Sequence, residues 1–300
     1  MIECPQVQKR SVRFHYDLST PFYRLLWGEH IHHGLWSADE SPRTAQLRLT
    51  EHVAELAHVE PRSRVLDVGC GMGGSSLYLA RHRGCEVTGV TISRLQRRWA
   101  ACSAWCRRLR KRARFLHADA ERVEFEPESF DVVWSIECTE HLFDKSRFFR
   151  RASEWLRPGG CVAICAWLEG PAVESEADRR VVMDVCEGFF CPSLGSATDY
   201  CSWMERAGLE VTHVVDWTDQ VARTWDICER RVRRSGVARL ARWIDRDTLR
   251  FLQRFRTIRD AYSRRVMEYG CFVARKPDAS DRDESRPGKG EHQWNGQPCD

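Results

Sequence analysis

Lysine is almost missing from this chain, with five residues against 42 arginines in a length of 300. Such a bias follows genomic base composition, so single arginines carry little meaning. A formal net charge of +4 is too small to specify a nucleic-acid partner. Cysteine is plentiful at 14 residues, yet no two are spaced C-x-x-C. That excludes the usual zinc spacings, and with no secretory signal it argues against a disulfide framework. No run of 18 apolar residues occurs, and "MIECPQVQKRSVRF" has no apolar signal core. These absences predict a soluble, cytoplasmic protein of a reducing compartment with no bound metal.

What is present begins with "VLDVGCGMGGSSLYLA", residues 65–80, where Gly69, Gly71, Gly73 and Gly74 crowd into six positions. Strand signals recur in "RVLDVG", "CEVTGV", "ARFLHA", "FDVVWSI" and "CVAICAW", with helical stretches around 74–83, 93–108 and 145–157 between them. Strands alternating with helices predict parallel pairing, and near-continuous apolar runs predict burial on both faces. "LEVTHVV" reads as a sixth strand and "EYGCFVARK" as a seventh, with basic helices between them. The expectation is an α/β fold with a seven-strand, mostly parallel, Rossmann-like sheet. An N-terminal helical lid would cover 1–60, and the main domain 61–276, with a helical cap at about 217–267. A polar tail, 277–300, reads as disordered.

A glycine loop after a first strand presents bare backbone and N–H groups at a helix start. Gly69, Gly71 and Gly74 also satisfy G-x-G-x-x-G, a weak signal alone. A dinucleotide site places an acid about 20 residues further on, but Thr91 stands there. The third strand ends in Asp119, suited to the exocyclic amine of a base. No second nucleotide-binding half follows. The ligand therefore reads as one nucleoside with a non-phosphate extension, for which S-adenosylmethionine is suited.

In this order, "VLDVGCGMGG", "VTGVTIS", "ADAE", "FDVVWSIECTEH" and "LRPGG" resemble the class I S-adenosylmethionine-dependent methyltransferases over residues 60–168. "YDLSTPFYRLLWGEHIHHGLW", "ATDYCSWMERAGLEV", "DWTDQVARTW" and "YGCFVARKP" extend the likeness to the γ-tocopherol methyltransferase group, which also contains plant alkaloid N-methyltransferases. The resemblance implies methyl transfer to oxygen, nitrogen or carbon of a hydrophobic or aromatic small acceptor. It assigns cofactor contacts to Tyr16, Asp67, Gly69, Gly71, Gly73, Thr91, Gln96, Asp119, Ala120 and Glu137. Thr91 and Gln96 would take over the ribose. The plastid leader of a plant tocopherol enzyme is not seen, since the likeness starts near the N-terminus. A cyclopropane fatty acid synthase acting on a lipid alkene, or a non-catalytic cofactor-binding protein, are the alternatives.

Other residues invite roles of their own. "HIHH" places His30, His32 and His33 near Trp27 and Trp36, and His32, His33 and Trp36 are expected on the substrate side of a lid. Glu140 and His141 follow the fourth strand at the edge where α/β ligands bind, with His141 a candidate base. E-x-x-E-H also resembles a magnesium pattern of some quinone O-methyltransferases, and it could simply cap the next helix. Residues 219–276 carry 16 basic against seven acidic side chains. With Trp225, Trp243, Phe251 and Phe255 interleaved, that segment is expected to make weak peripheral contact with an anionic membrane. No nucleic-acid motif accompanies it.

Overall fold

The computed structural model describes residues 1–235 and 246–278. A short strand β1 (Ile2–Glu3) precedes helices α1 (Lys9–Leu26) and α2 (Pro42–Leu56). Then come β2 (Arg64–Val68), α3 (Gly74–Tyr78), β3 (Glu86–Thr91), α4 (Arg94–Cys106), β4 (Ala113–His117) and β5 (Phe130–Ile136). Helix α5 (Lys145–Trp155) leads into the long β6 (Leu156–Glu169), followed by α6 (Glu176–Phe189) and β7 (Ser193–Leu194). Helix α7 (Ala197–Arg206), β8 (Glu210–Asp216), α8 (Thr218–Ser235), α9 (Arg246–Ser263) and β9 (Met267–Arg275) follow among the described residues.

The main sheet has the order β4-β3-β2-β5-β6-β9-β8. The first five strands pair in parallel, and β9 runs antiparallel to both β6 and β8. Alternate side chains serve opposite faces. Val65, Val87, Trp134 and Cys165 point to one core, while Leu66, Val90, Val133 and Ile164 point to the other. Both faces are covered, which explains the continuous apolar runs. Helices α5 and α7 cover the second face with Phe148, Phe149, Tyr200 and Met204.

Three features depart from the sequence-based expectation. Helix α2 is no part of a lid: Leu49, Val53 and Ala54 are fully buried, and the helix packs on α3 and β6. The helical stretch expected to reach 157 stops at Trp155, and "LRPGG" opens β6, with Gly159 at φ +74°. Helix α6, closed at its start by a reciprocal Ser175–Asp178 capping box, was not foreseen. Of the expected cap, Trp243 and the side chain of Phe251 lie outside what the structure describes, as does the tail beyond residue 278.

Candidate active site

Strand β2 ends at a loop whose backbone tolerates little else than glycine. At Gly69 φ is +78°, and a Cβ there would lie 2.3 Å from Sγ of Cys138. Gly69 and Cys70 spend their N–H groups on the Val90 carbonyl, at 2.9 and 3.0 Å. The loop is thereby pinned to β3 rather than left with all its donors free. Beside it opens a cleft of about 740 Å³, part of it open to solvent. Its wall gathers Tyr16, Gly69, Gly71, Thr91, Gln96, Asp119, Ala120, Glu137 and His141. These positions span 125 residues of sequence and come from the carboxyl ends of four adjacent parallel strands, with α1 over the top.

Thr91 Oγ1 donates to Gln96 Oε1 at 2.9 Å, which fixes the amide orientation. Gln96 Nε2 is left buried without a partner, an arrangement a ribose hydroxyl would satisfy. Together with the bare glycine loop, this orphaned donor fits S-adenosylmethionine. Asp119 receives Lys9 Nζ of α1 at 2.9 Å, and the same ammonium reaches Glu121 at 2.5 Å. Lys9 lines the cleft and was not anticipated, because a lysine 110 residues from its partner has no local signal.

A second cavity of about 430 Å³, part of it open to solvent, adjoins the first and shares Tyr16, Ile31, Glu137 and His141 with it. Its remaining wall is mostly aromatic: Tyr23 of α1 and Trp27 just after it, Trp167 of β6, Phe189 of α6 and Trp225 of α8. Glu140 and Cys191 also line it. His141 Nδ1 lies 3.1 Å from the Phe190 carbonyl. A carbonyl only accepts, so Nδ1 carries the proton and Nε2 accepts from the Tyr16 hydroxyl at 2.7 Å. Burial pushes His141 down to about 4, leaving a neutral ring at physiological pH.

The two acids differ. Glu137 Oε1 accepts from His33 N at 2.7 Å, His33 Nδ1 at 2.9 Å and the Tyr269 hydroxyl at 2.8 Å. Burial opposes its charge, but His33 and its hydrogen bonds hold the carboxyl below the usual range. Glu140 Oε1 accepts the Trp167 N–H at 2.7 Å, and its Oε2 is buried without a partner. Burial raises it to about 8, so it is largely protonated near neutrality. Among the described residues no cluster of three or more His, Cys, Asp or Glu is placed to hold a metal.

Several expected residues sit elsewhere. Asp67 is behind the loop, bonded by Ser76 Oγ, and burial lifts it to about 7. Gly73 caps α3 in the left-handed region against Ala100 and Phe115. His32 is bonded to His30 and to the His33 carbonyl behind the glycine loop, away from the aromatic cavity. Trp36 donates to Thr224 Oγ1 and stacks under Arg223, so it buttresses the cap instead of facing the substrate side. His33 lines neither cavity and is bonded to Glu137 instead. Trp225 and Phe255 are 2% and 1% exposed and face inward, so these two cannot insert into lipid.

Residues 5–265 match the mycolic acid cyclopropane synthetase family. The chloroplastic tocopherol O-methyltransferase of Arabidopsis thaliana is 28% identical over 90% of this chain and 82% of its own length. The 27-O-demethylrifamycin SV methyltransferase of Amycolatopsis mediterranei is 34% identical over 70% of this chain and 77% of its own. In fold, the chain resembles a cyclopropane synthase of Mycobacterium tuberculosis with a TM-score of 0.81 at 19% identity, covering 90% and 99% of the two chains. The chain belongs to the mycolic acid cyclopropane synthetase family and is an S-adenosylmethionine-dependent methyltransferase of class I.

Proposed function

We propose that this methyltransferase alkylates a hydroxyl group on a hydrophobic, aromatic small molecule held in the second cavity. The observation that carries the reading is the base: His141 presents an unprotonated Nε2 at the junction of the two cavities, with its tautomer set by the Phe190 carbonyl. S-adenosylmethionine, when bound, supplies an electrophilic methyl group on a sulfonium. The tyrosine and tryptophan wall takes up an aromatic acceptor and excludes water. Glu140, protonated and with a free Oε2, donates to an acceptor oxygen and orients it. Glu137 keeps a fixed negative charge between the cavities, which favours a cationic group beside it.

A base at about 4 does not ionise a phenol beforehand. It takes the proton as the new carbon–oxygen bond forms, when the hydroxyl has become strongly acidic. Tyr16 stands in line between acceptor and His141, so the proton passes through its hydroxyl or displaces it. His141→Ala should lower kcat by about a hundredfold or more and leave cofactor affinity nearly unchanged. A second reading, addition to a lipid alkene, is favoured by the rings of Trp27, Trp167, Phe189 and Trp225, whose faces stabilise a carbon-centred cation. Mass spectrometry after incubation with methyl-labelled S-adenosylmethionine and a panel of prenylated phenols, amines and unsaturated phospholipids decides between them. Methyl ethers support the hydroxyl reading, and label confined to amine or alkene carbon overturns it. Peripheral contact with the membrane that dissolves such an acceptor belongs to the same proposal.

A further inference from the structure

The outward face of the lid helix differs from the rest of the surface. Helices α1 and α4 pack against each other, joined where Asp17 Oδ1 accepts from Ser93 Oγ at 2.6 Å and Leu95 N at 3.3 Å. Their inner faces are used: Val12, Tyr16 and Tyr23 line the cavities, and Ala100 and Ala104 lie in the core. Their outer faces carry Phe14, Leu25, Trp99 and Trp105, exposed by 64%, 65%, 39% and 66%. These are four of the seven large apolar side chains exposed among the described residues. Between them stand Arg10, Arg13, Arg24, Arg94, Arg97 and Arg98, all exposed.

Across both helices there are seven basic residues and one acid, Asp17, which is occupied by the α4 start. We infer that the outer face of α1 and α4 docks on an anionic lipid surface. Guanidinium groups meet lipid phosphates, while phenylalanine, leucine and tryptophan reach the acyl boundary. Single apolar side chains interleaved with arginine, rather than one continuous apolar patch, suit a headgroup layer better than a protein core. The inference rests on the reading that the acceptor is lipid-soluble, and it gives that reading a route. The helix that closes both cavities on its inner side meets the bilayer on its outer side, so an acceptor leaves lipid beside the lid. The described aromatics of the basic cap, Trp225 and Phe255, turn inward and offer no such face.

Sedimentation with vesicles tests the inference without cofactor or acceptor, so its failure is separate from failure of the methylation reading. The full chain should sediment with phosphatidylcholine mixed with an equal amount of phosphatidylglycerol, stay in the supernatant with phosphatidylcholine alone, and be released by added salt. Arg10→Gln with Arg13→Gln and Arg98→Gln should lower partitioning about a hundredfold. Phe14→Ser with Trp105→Ser should lower it about tenfold. Unchanged circular dichroism and cofactor binding in both variants would show that the fold is kept. The cap variant Arg230→Gln with Arg234→Gln should bind as the parent does. No sedimentation with mixed vesicles, or loss only in the cap variant, overturns the inference. So does a dimer in the free protein that Phe14→Ser with Trp105→Ser abolishes, since the face would then belong to a second copy.

Discussion

At the scale of single residues, the site is a set of hydrogen-bond directions imposed by burial. Gln96 shows this most simply: Thr91 takes its carbonyl oxygen, and the buried NH₂ has nothing else to meet. Gln96→Ala should therefore weaken S-adenosylmethionine binding by about 1–2 kcal/mol, measured by calorimetry. An unchanged dissociation constant would place the ribose elsewhere. The pair was legible in "TISRLQ", because a side chain and its partner five residues on meet across one strand-to-helix turn. Tyr16 and His141 were each singled out too, but the bond between them crosses 125 residues of chain. Lys9 and Tyr269 were not foreseen, since nothing near them in sequence needs an ammonium or a phenol.

At the scale of elements, α1 emerges as a clasp. Lys9 holds its start to Asp119 and Glu121 in the cleft wall, and Asp17 holds its middle to the start of α4. Lys9→Met combined with Asp17→Asn should raise both association and dissociation rates of S-adenosylmethionine several-fold, with the equilibrium constant little changed. Stopped-flow tryptophan fluorescence reads these rates, and identical rates in parent and variant would mean that α1 does not gate the cleft. The segment 14–36 is not a detachable cover, however. Tyr23, Trp27, His33 and Leu35 are buried among the sheet, α8 and α9, so removing them would open the core. Helix α6 supplies the other surprise, because Phe190, its left-handed C-cap at φ +59°, turns a carbonyl to His141. Propensity marks where such a helix starts and stops, not which distant ring its last carbonyl will meet.

For the whole molecule, buried ionisable groups set the pH dependence of stability. Burial lowers His15 to about 3 and His141 to about 4. The unfolded chain binds more protons than the native one below pH about 6.5, so these histidines remove stability as pH falls. Burial raises Asp67 to about 7, Glu140 to about 8 and Glu268 to about 7. Here the native state holds the extra proton, and stability is lost as pH rises from the ordinary carboxylate range through those values. The two sets oppose each other in weakly acidic solution, and of these five groups only the acids act above neutrality, where Lys145, lowered by burial to about 8, begins to add stability as pH rises past that value. Thermal melting should therefore peak on the acid side of pH 7 and fall toward about pH 8. Glu140→Gln, which cannot ionise, should flatten the alkaline limb, and an unaltered limb would remove Glu140 from the account.

The amino-acid sequence by itself determined the sheet, the bare loop after β2 and the kind of cofactor. Each of these is written in local order: near-continuous apolar strand runs between helical stretches, glycines where φ is positive, and motifs recurring at the ends of successive strands. Only the tertiary structure decided which aromatics face inward, which histidine meets which acid, and which side of α1 is left to solvent. Those outcomes depend on how α1, α6, α8 and α9 close over one sheet. "HIHH" illustrates the division. Its three histidines look alike in sequence, yet packing sends His30 and His32 behind the glycine loop and His33 to Glu137, because adjacent side chains on an extended segment leave it in different directions.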